Sequence, residues 1–227
     1  MILSIDVGIR NLALCIMSFD KKIHLWDVYN ILESDDHKCL SLLKNGKVCN
    51  KICSFKYEEQ YSCKIHIPKS IVARKYKKKL IKNYPLQEIT KLFLKKINTI
   101  HNDNAEVFNK VTKVLIELQP KMNPKMKLVS HILFGKMVEI FKDLKTKVLF
   151  VKASNKLKNC HNFECKLKGA YARRKWLAIE NTRLHLETEF CDEQKDKWLP
   201  FFEGCSKKDD ISDVFLYAFN HARYLKK

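Results

Sequence analysis

The chain opens on near-continuous apolar runs separated by short polar breaks. Residues 1–8, 11–19 and 22–31 carry the β-branched and large apolar side chains of strands, and Asp20-Lys21-Lys22 suits a tight hairpin. This pattern predicts an antiparallel three-stranded meander. It then fails over residues 37–66, a polar and poorly patterned stretch holding four of the nine cysteines, which reads as an insertion. From Pro68 to Ile100 the pattern turns helical. Pro85 fits the first turn of a second helix, whose apolar positions Ile89, Leu92, Phe93, Ile97 and Ile100 follow helical spacing.

Residues 111–118 are β-branched and apolar, hence a strand. Pro120 and Pro124 bracket a loop, residues 125–144 form an amphipathic helix, and residues 147–151 a short strand. Strand, helix, strand implies a parallel crossover. Helices are expected at 171–190 and 208–225, with an irregular mixed-charge loop at 191–206 between them. The fold class is therefore α/β: a mixed sheet, meander first and parallel strands after, flanked by helices. That order suits the ribonuclease H-like fold, as one domain over residues 1–227 with the 37–66 insertion inside it.

Charge narrows the partners. The formal net charge is +19. Folding gains nothing from such self-repulsion, so a polyanion is implied, with nucleic acid ahead of an anionic membrane surface. No apolar run approaches the roughly 20 residues of a membrane span, and the first residues read as a strand with Asp6 at its centre rather than as a secretory signal. An intracellular, reducing setting is expected, in which clustered cysteines point to metal rather than disulfides. Between residues 67 and 99 there are ten Lys or Arg against one acid, Glu88. Arg74, Lys75, Lys77, Lys78 and Lys79 crowd together there; a solvated face is the plain alternative, but the lopsided sign favours a phosphate-contacting helix.

Two carboxylates stand where strands should be apolar. Asp6 ends the run Met1-Ile2-Leu3-Ser4-Ile5, and Glu117 sits within Val114-Leu115-Ile116-Glu117-Leu118. Burying a charge costs several kcal/mol unless something compensates it. Asp210 and Asp213 lie three residues apart at the start of the last helix and project from one face. Taken singly, acids at a helix start are ordinary dipole complements. Four carboxylates from three separate places instead form a set of hard oxygen donors suited to Mg²⁺ or Mn²⁺. Two such ions about 3.5–4 Å apart can activate water and stabilise the leaving oxygen in phosphodiester hydrolysis. Asp6 is placed to bridge them.

The set Ser4-Ile5-Asp6-Val7-Gly8, Ile116-Glu117 and Lys208-Asp209-Asp210-Ile211-Ser212-Asp213 resembles the RuvC-type Holliday junction resolvases, above all those of poxviruses and other large DNA viruses. The family's two aspartates three residues apart select Asp210 and Asp213, leaving Asp209 as a neighbour. The resemblance implies a homodimer that nicks opposing strands of a four-way DNA junction symmetrically, for viral recombination or concatemer processing at the replication site in an infected cell. It also implies a lysine at the start of the penultimate helix, which Tyr171-Ala172-Arg173-Arg174-Lys175 places at Lys175. Lys156 is a second candidate. Lys152, Lys156, Arg173 and Arg174 are candidates for backbone contacts to DNA.

Cys39, Cys49, Cys53, Cys63 and His66 lie within 28 residues. Structural zinc takes four sulfur or nitrogen donors, so one of the five is surplus. Cys63 and His66 form one half-site, and Cys39 and Cys49 can supply the other, with Cys53 as the alternative to Cys39 and His37 as a remote sixth. One structural zinc per chain is expected, since the segment has too few apolar residues to fold alone. The competing readings are another ribonuclease H-like or transposase-type nuclease, and a non-catalytic zinc-dependent DNA-binding protein.

Overall fold

Strand β1 (Ile2–Val7) turns at Gly8 into β2 (Asn11–Met17), which turns at Lys21 into β3 (Ile23–Asn30). Both pairings are antiparallel, with Ile2 opposite Met17 and Asp6 opposite Ala13. The first turn needs glycine, because a Cβ on Gly8 would lie 2.2 Å from the Asn11 carbonyl oxygen. At the second, Lys21 takes a left-handed φ of 72°, and the Ser18 amide donates to the Lys22 carbonyl at 2.9 Å.

The computed structural model describes residues 1–32, 37–76, 80–119, 123–158 and 160–224. It folds into two compact units, one built from Met1–Ile31 with the chain from Thr90 onward, the other from Leu32–Ile89.

The Leu32–Ile89 unit holds a small antiparallel sheet of β4 (Phe55–Tyr57), β5 (Gln60–Ser62) and β6 (Arg74–Lys75), with β4 in the middle. Arg74 and Lys75 are thus strand residues, not the helix expected from Pro68 onward. Their backbones pair with Lys56 and Phe55, and charged side chains sit comfortably on an exposed edge, so pairing from a distance overrides the local helical pattern. Lys77, Lys78 and Lys79 lie outside the described residues. The helix itself, α1, runs Leu86–Asp103 and buries Ile89, Phe93, Ile97 and Ile100 along one stripe.

After a short α2 (Ala105–Phe108), β7 (Lys113–Glu117) lies parallel to β1. Helix α3 (Pro124–Ile140) starts where the Asn123 side chain accepts from the Met126 amide at 3.2 Å. It leads to β8 (Lys147–Val151), parallel to β7. The five-stranded mixed sheet runs β3-β2-β1-β7-β8. β1 and β7, in its middle, are buried along almost their whole length.

Helices α4 (Ala170–Thr188), α5 (Asp192–Gly204) and α6 (Lys208–Tyr224) complete this unit. The expected loop at 191–206 is largely α5. Mixed charge and Pro200 hid it, yet Gln194, Trp198 and Phe202 recur every fourth residue and are buried, and Pro200 points to the exposed side. Trp198 and Phe202 pack on Trp26 at ring distances of 6.0 and 5.7 Å. Helix α6 is the core helix: Ile211, Val214, Phe215, Ala218, Phe219 and Ala222 are fully buried. The Ser4 hydroxyl donates to the Val214 carbonyl and the Trp26 indole to Ile211 at 2.9 Å. These bonds fix α6 in height and rotation against the sheet. Among the described residues, no helix is long and apolar enough to cross a membrane.

Candidate active site and cysteine cluster

Asp6 and Glu117 stand at the carboxyl ends of two neighbouring parallel strands, one step beyond the paired Ile5 and Ile116. Open α/β sheets place their ligands at such ends. Helix α6 brings Asp213 over them, and one oxygen from each of Asp6, Glu117 and Asp213 lies within 4.8 Å of the others. Burial, then the charges of Glu117 and Asp213, raise the Asp6 carboxyl well above the ordinary carboxylate range. Burial pushes Asp213 up to about 6, with Lys156 working against it.

Lys156 comes from a short 3-10 turn, Ala153–Leu157, just after β8. Its ammonium is hydrogen-bonded to Asp213 and lies 3.6 Å from Glu117 Oε2. Burial opposes its charge, but Asp213 and Glu117 outweigh that and hold its pKa above the usual lysine value. Lys175 sits elsewhere: its ammonium pairs with Asp209. Asp210 stands apart from the three clustered acids and accepts from Asn11 Nδ2 at 3.5 Å. Its pKa is raised by burial and by the neighbouring Asp209. Lys152, Arg173 and Arg174 are exposed.

The sequence did not single out Tyr217 or Asn11. The Tyr217 hydroxyl donates to Glu117 Oε2 at 2.9 Å and approaches the Lys152 carbonyl at 3.4 Å. The signal was present in the spacing, since Tyr217 follows Asp213 by one helical turn and so shares its face.

One lysine against three desolvated carboxylates leaves excess negative charge, and the donors are all hard oxygens. The site fits a divalent cation of the Mg²⁺ or Mn²⁺ kind.

In the Leu32–Ile89 unit, Cys39, Cys49, Cys63 and His66 bring four donor atoms within 4.8 Å of one another. Cys49 and Cys63 sulfurs are 3.9 Å apart, and His66 Nδ1 lies 3.5 Å from Cys39 and 3.4 Å from Cys63. A tetrahedral zinc with ordinary bond lengths needs about 3.8 Å between sulfurs and about 3.5 Å from sulfur to nitrogen. These three spacings match the edges of that polyhedron, and all four donors lie within 4.8 Å of one another. Burial opposes ionisation of Cys39, but its hydrogen bonds with the Ser41 hydroxyl, the Cys63 and Ser41 amides and His66 bring its thiol down to about 6. Cys53 is buried beside the group but is not one of the four; burial and the neighbouring sulfurs raise its thiol.

No family model matches the chain. An uncharacterized protein of Acanthamoeba polyphaga mimivirus is 29% identical over 226 residues, covering 87% of this chain and 52% of that protein. The chain thus spans about half the length of the curated relative it matches. Among solved structures, the fowlpox virus resolvase, seen with its substrate Holliday junction DNA, superimposes with a TM-score of 0.50 over 100% of this chain and 99% of that one, at 16% identity. This chain has the resolvase fold. The yeast mitochondrial Holliday junction resolvase covers 99% of this chain and 78% of its own at TM-score 0.48 and 20% identity. The RuvC of Thermus thermophilus, in complex with a Holliday junction substrate, covers 98% and 94% at 0.46 and 11%. In the resolvase fold of this chain, Asp6 and Glu117 come from the two central parallel strands and Asp213 from the helix packed on them.

Proposed function

We propose that this protein is a metal-dependent, structure-selective endonuclease that cuts four-way DNA junctions. The observation that carries the proposal is the convergence of Asp6, Glu117 and Asp213 on one desolvated point of a resolvase fold. No structural need of the fold explains three mutually repelling acids at that point.

Asp6, Glu117 and Asp213, with Asp210 nearby on the same helix, would hold the cations. Bound there, they would supply an activated water and stabilise charge on the phosphate oxygens. Tyr217 holds Glu117 in place through its hydroxyl, and Asn11 does the same for Asp210. Lys156, bonded to Asp213 beside Glu117, would bring its positive charge to the phosphate bound at these carboxylates and stabilise negative charge there. Lys175, one turn into α4, would meet the DNA backbone with Arg173 and Arg174, and Lys152 would add a further contact to it.

In the same proposal, Cys39, Cys49, Cys63 and His66 hold one structural zinc. All four positions would be filled by protein, which leaves no open site for catalysis. A homodimer would present two such active sites to opposing strands. The same proposal places the cutting in the processing of viral DNA where it is replicated; the viral part of that reading is supported by a relative from a mimivirus.

Cleavage of matched synthetic substrates with Mg²⁺ tests the proposal: a four-way junction, a flap, a splayed duplex and an RNA–DNA hybrid. Paired symmetric nicks confined to the junction are expected. Preferential cutting of the hybrid or flap would refute the substrate assignment.

A further inference from the structure

The Leu32–Ile89 unit carries more than a metal cluster. Between residues 37 and 76 there are nine Lys or Arg and only two acids, Glu58 and Glu59. The small sheet organises part of this charge. Lys56 in β4 lies opposite Tyr61 in β5 and opposite Arg74 in β6, so the three side chains line up across one face. Tyr61 is stacked on His37 at 3.4 Å and meets Tyr76 edge-on at 4.9 Å. The Lys56 ammonium sits 5.3 Å over the Tyr61 ring. His37 and Tyr76 thus brace the ring on which the Lys56 ammonium rests.

Arg74 and Lys75 are both exposed on the edge strand, and among the described residues neither has an acidic partner. Glu59 pairs with Lys56 at 3.3 Å but is almost wholly in water, where such a pair is weak. A groove runs beside them, lined by Lys56, Tyr57, Val72, Arg74, Lys75 and Tyr76, with three cations against the single carboxylate of Glu58. So small a sheet has no structural use for two unpaired cations, Arg74 and Lys75, set along a groove beside a third, Lys56, seated on an aromatic ring. A phosphate backbone fits that charge, spacing and rigidity.

We propose that the Leu32–Ile89 unit is a second DNA-contacting surface, gripping the phosphate backbone of a junction arm through Lys56, Arg74 and Lys75. It rests on the junction-nuclease reading only for the choice of DNA as the polyanion. A metal held by Cys39, Cys49, Cys63 and His66 would then have an indirect role, fixing the unit whose sheet edge carries the cations.

The test uses the full chain and a fluorescently labelled four-way junction, with binding followed by anisotropy at several salt concentrations, without added magnesium or chelator. The double variant Arg74→Glu/Lys75→Glu is expected to bind at least about tenfold more weakly, with a salt slope shallower by about two. The charge-keeping pair Arg74→Lys/Lys75→Arg is expected to bind within about twofold of the parent. If the Glu pair fails to fold or loses its metal, the Arg74→Gln/Lys75→Gln pair takes its place with the same expected slope change. A folded, metal-loaded variant with the parent's affinity and salt slope overturns the proposal. So does tighter binding of a matched RNA duplex that depends on the same residues, which would make RNA the partner. Cleavage plays no part in this readout. A parent protein that grips the junction here but never cuts it sinks the nuclease reading alone.

Discussion

The Tyr217 hydroxyl donates a 2.9 Å hydrogen bond to Glu117, from the middle of the core helix to the end of a central strand. A tyrosine in that apolar run could have been phenylalanine for packing purposes. Its hydroxyl is what ties the carboxylate to α6. Tyr217→Phe should therefore raise the magnesium concentration needed for half-maximal cleavage by about tenfold, in the manner of other groups that orient metal ligands. A magnesium titration of junction cleavage checks this, and an unchanged half-point would show that Glu117 is oriented without it.

The cysteine cluster gives a second prediction. Metal analysis of the purified protein should find roughly one zinc per chain. Cys63→Ser should lose it and Cys53→Ser should keep it, because Cys53 lies beside the four donors without joining them. Zinc retained by Cys63→Ser and lost by Cys53→Ser would reverse the ligand assignment.

Gly8 supplies a third. Any Cβ there would meet the Asn11 carbonyl oxygen at 2.2 Å, and both are backbone-fixed by the first hairpin. Gly8→Ala should cost about 2 kcal/mol or more, read as a lower urea midpoint. A midpoint equal to the parent's would mean that the turn can open without penalty.

His185 is nearly fully buried and stacked on Phe219 at 4.3 Å, and burial, the dominant cause, pushes its pKa down to about 4. Below the unfolded value of roughly 6.5 the unfolded chain takes up a proton that the folded protein refuses. Stability from this group is complete above that pH and falls as the pH drops toward about 4, by a total on the order of 3 kcal/mol. Urea midpoints at pH 7 and pH 5 should therefore differ less in His185→Leu than in the parent. Equal differences would place the acid sensitivity elsewhere.

Much of this fold can be read from the residues because its signals are strong and local. The first three strands are apolar runs punctuated by turns, and β8 is bounded by polar residues at both ends. Helix α5 was illegible for the opposite reason: its buried stripe of Gln194, Trp198 and Phe202 is diluted by charge and interrupted by Pro200. Arg74 and Lys75 were illegible because strand β6 exists only through backbone pairing with β4. Asp6 and Glu117 drew attention because a carboxylate between apolar neighbours is costly, and the structure shows them side by side. The partners of the two lysines could not be read at all. Lys175 pairs with Asp209 and Lys156 with Asp213, and that choice depends on how α4 and the 153–157 turn pack on α6.

The most direct test of the account is cleavage of a synthetic four-way junction by Asp6→Asn beside the parent protein, with binding measured in parallel. The account predicts paired nicks from the parent, at least about a hundredfold slower cleavage by Asp6→Asn, and junction binding by the variant as tight as the parent's or tighter, because a charge that repels phosphate is gone. Cleavage by Asp6→Asn at the parent's rate would contradict it.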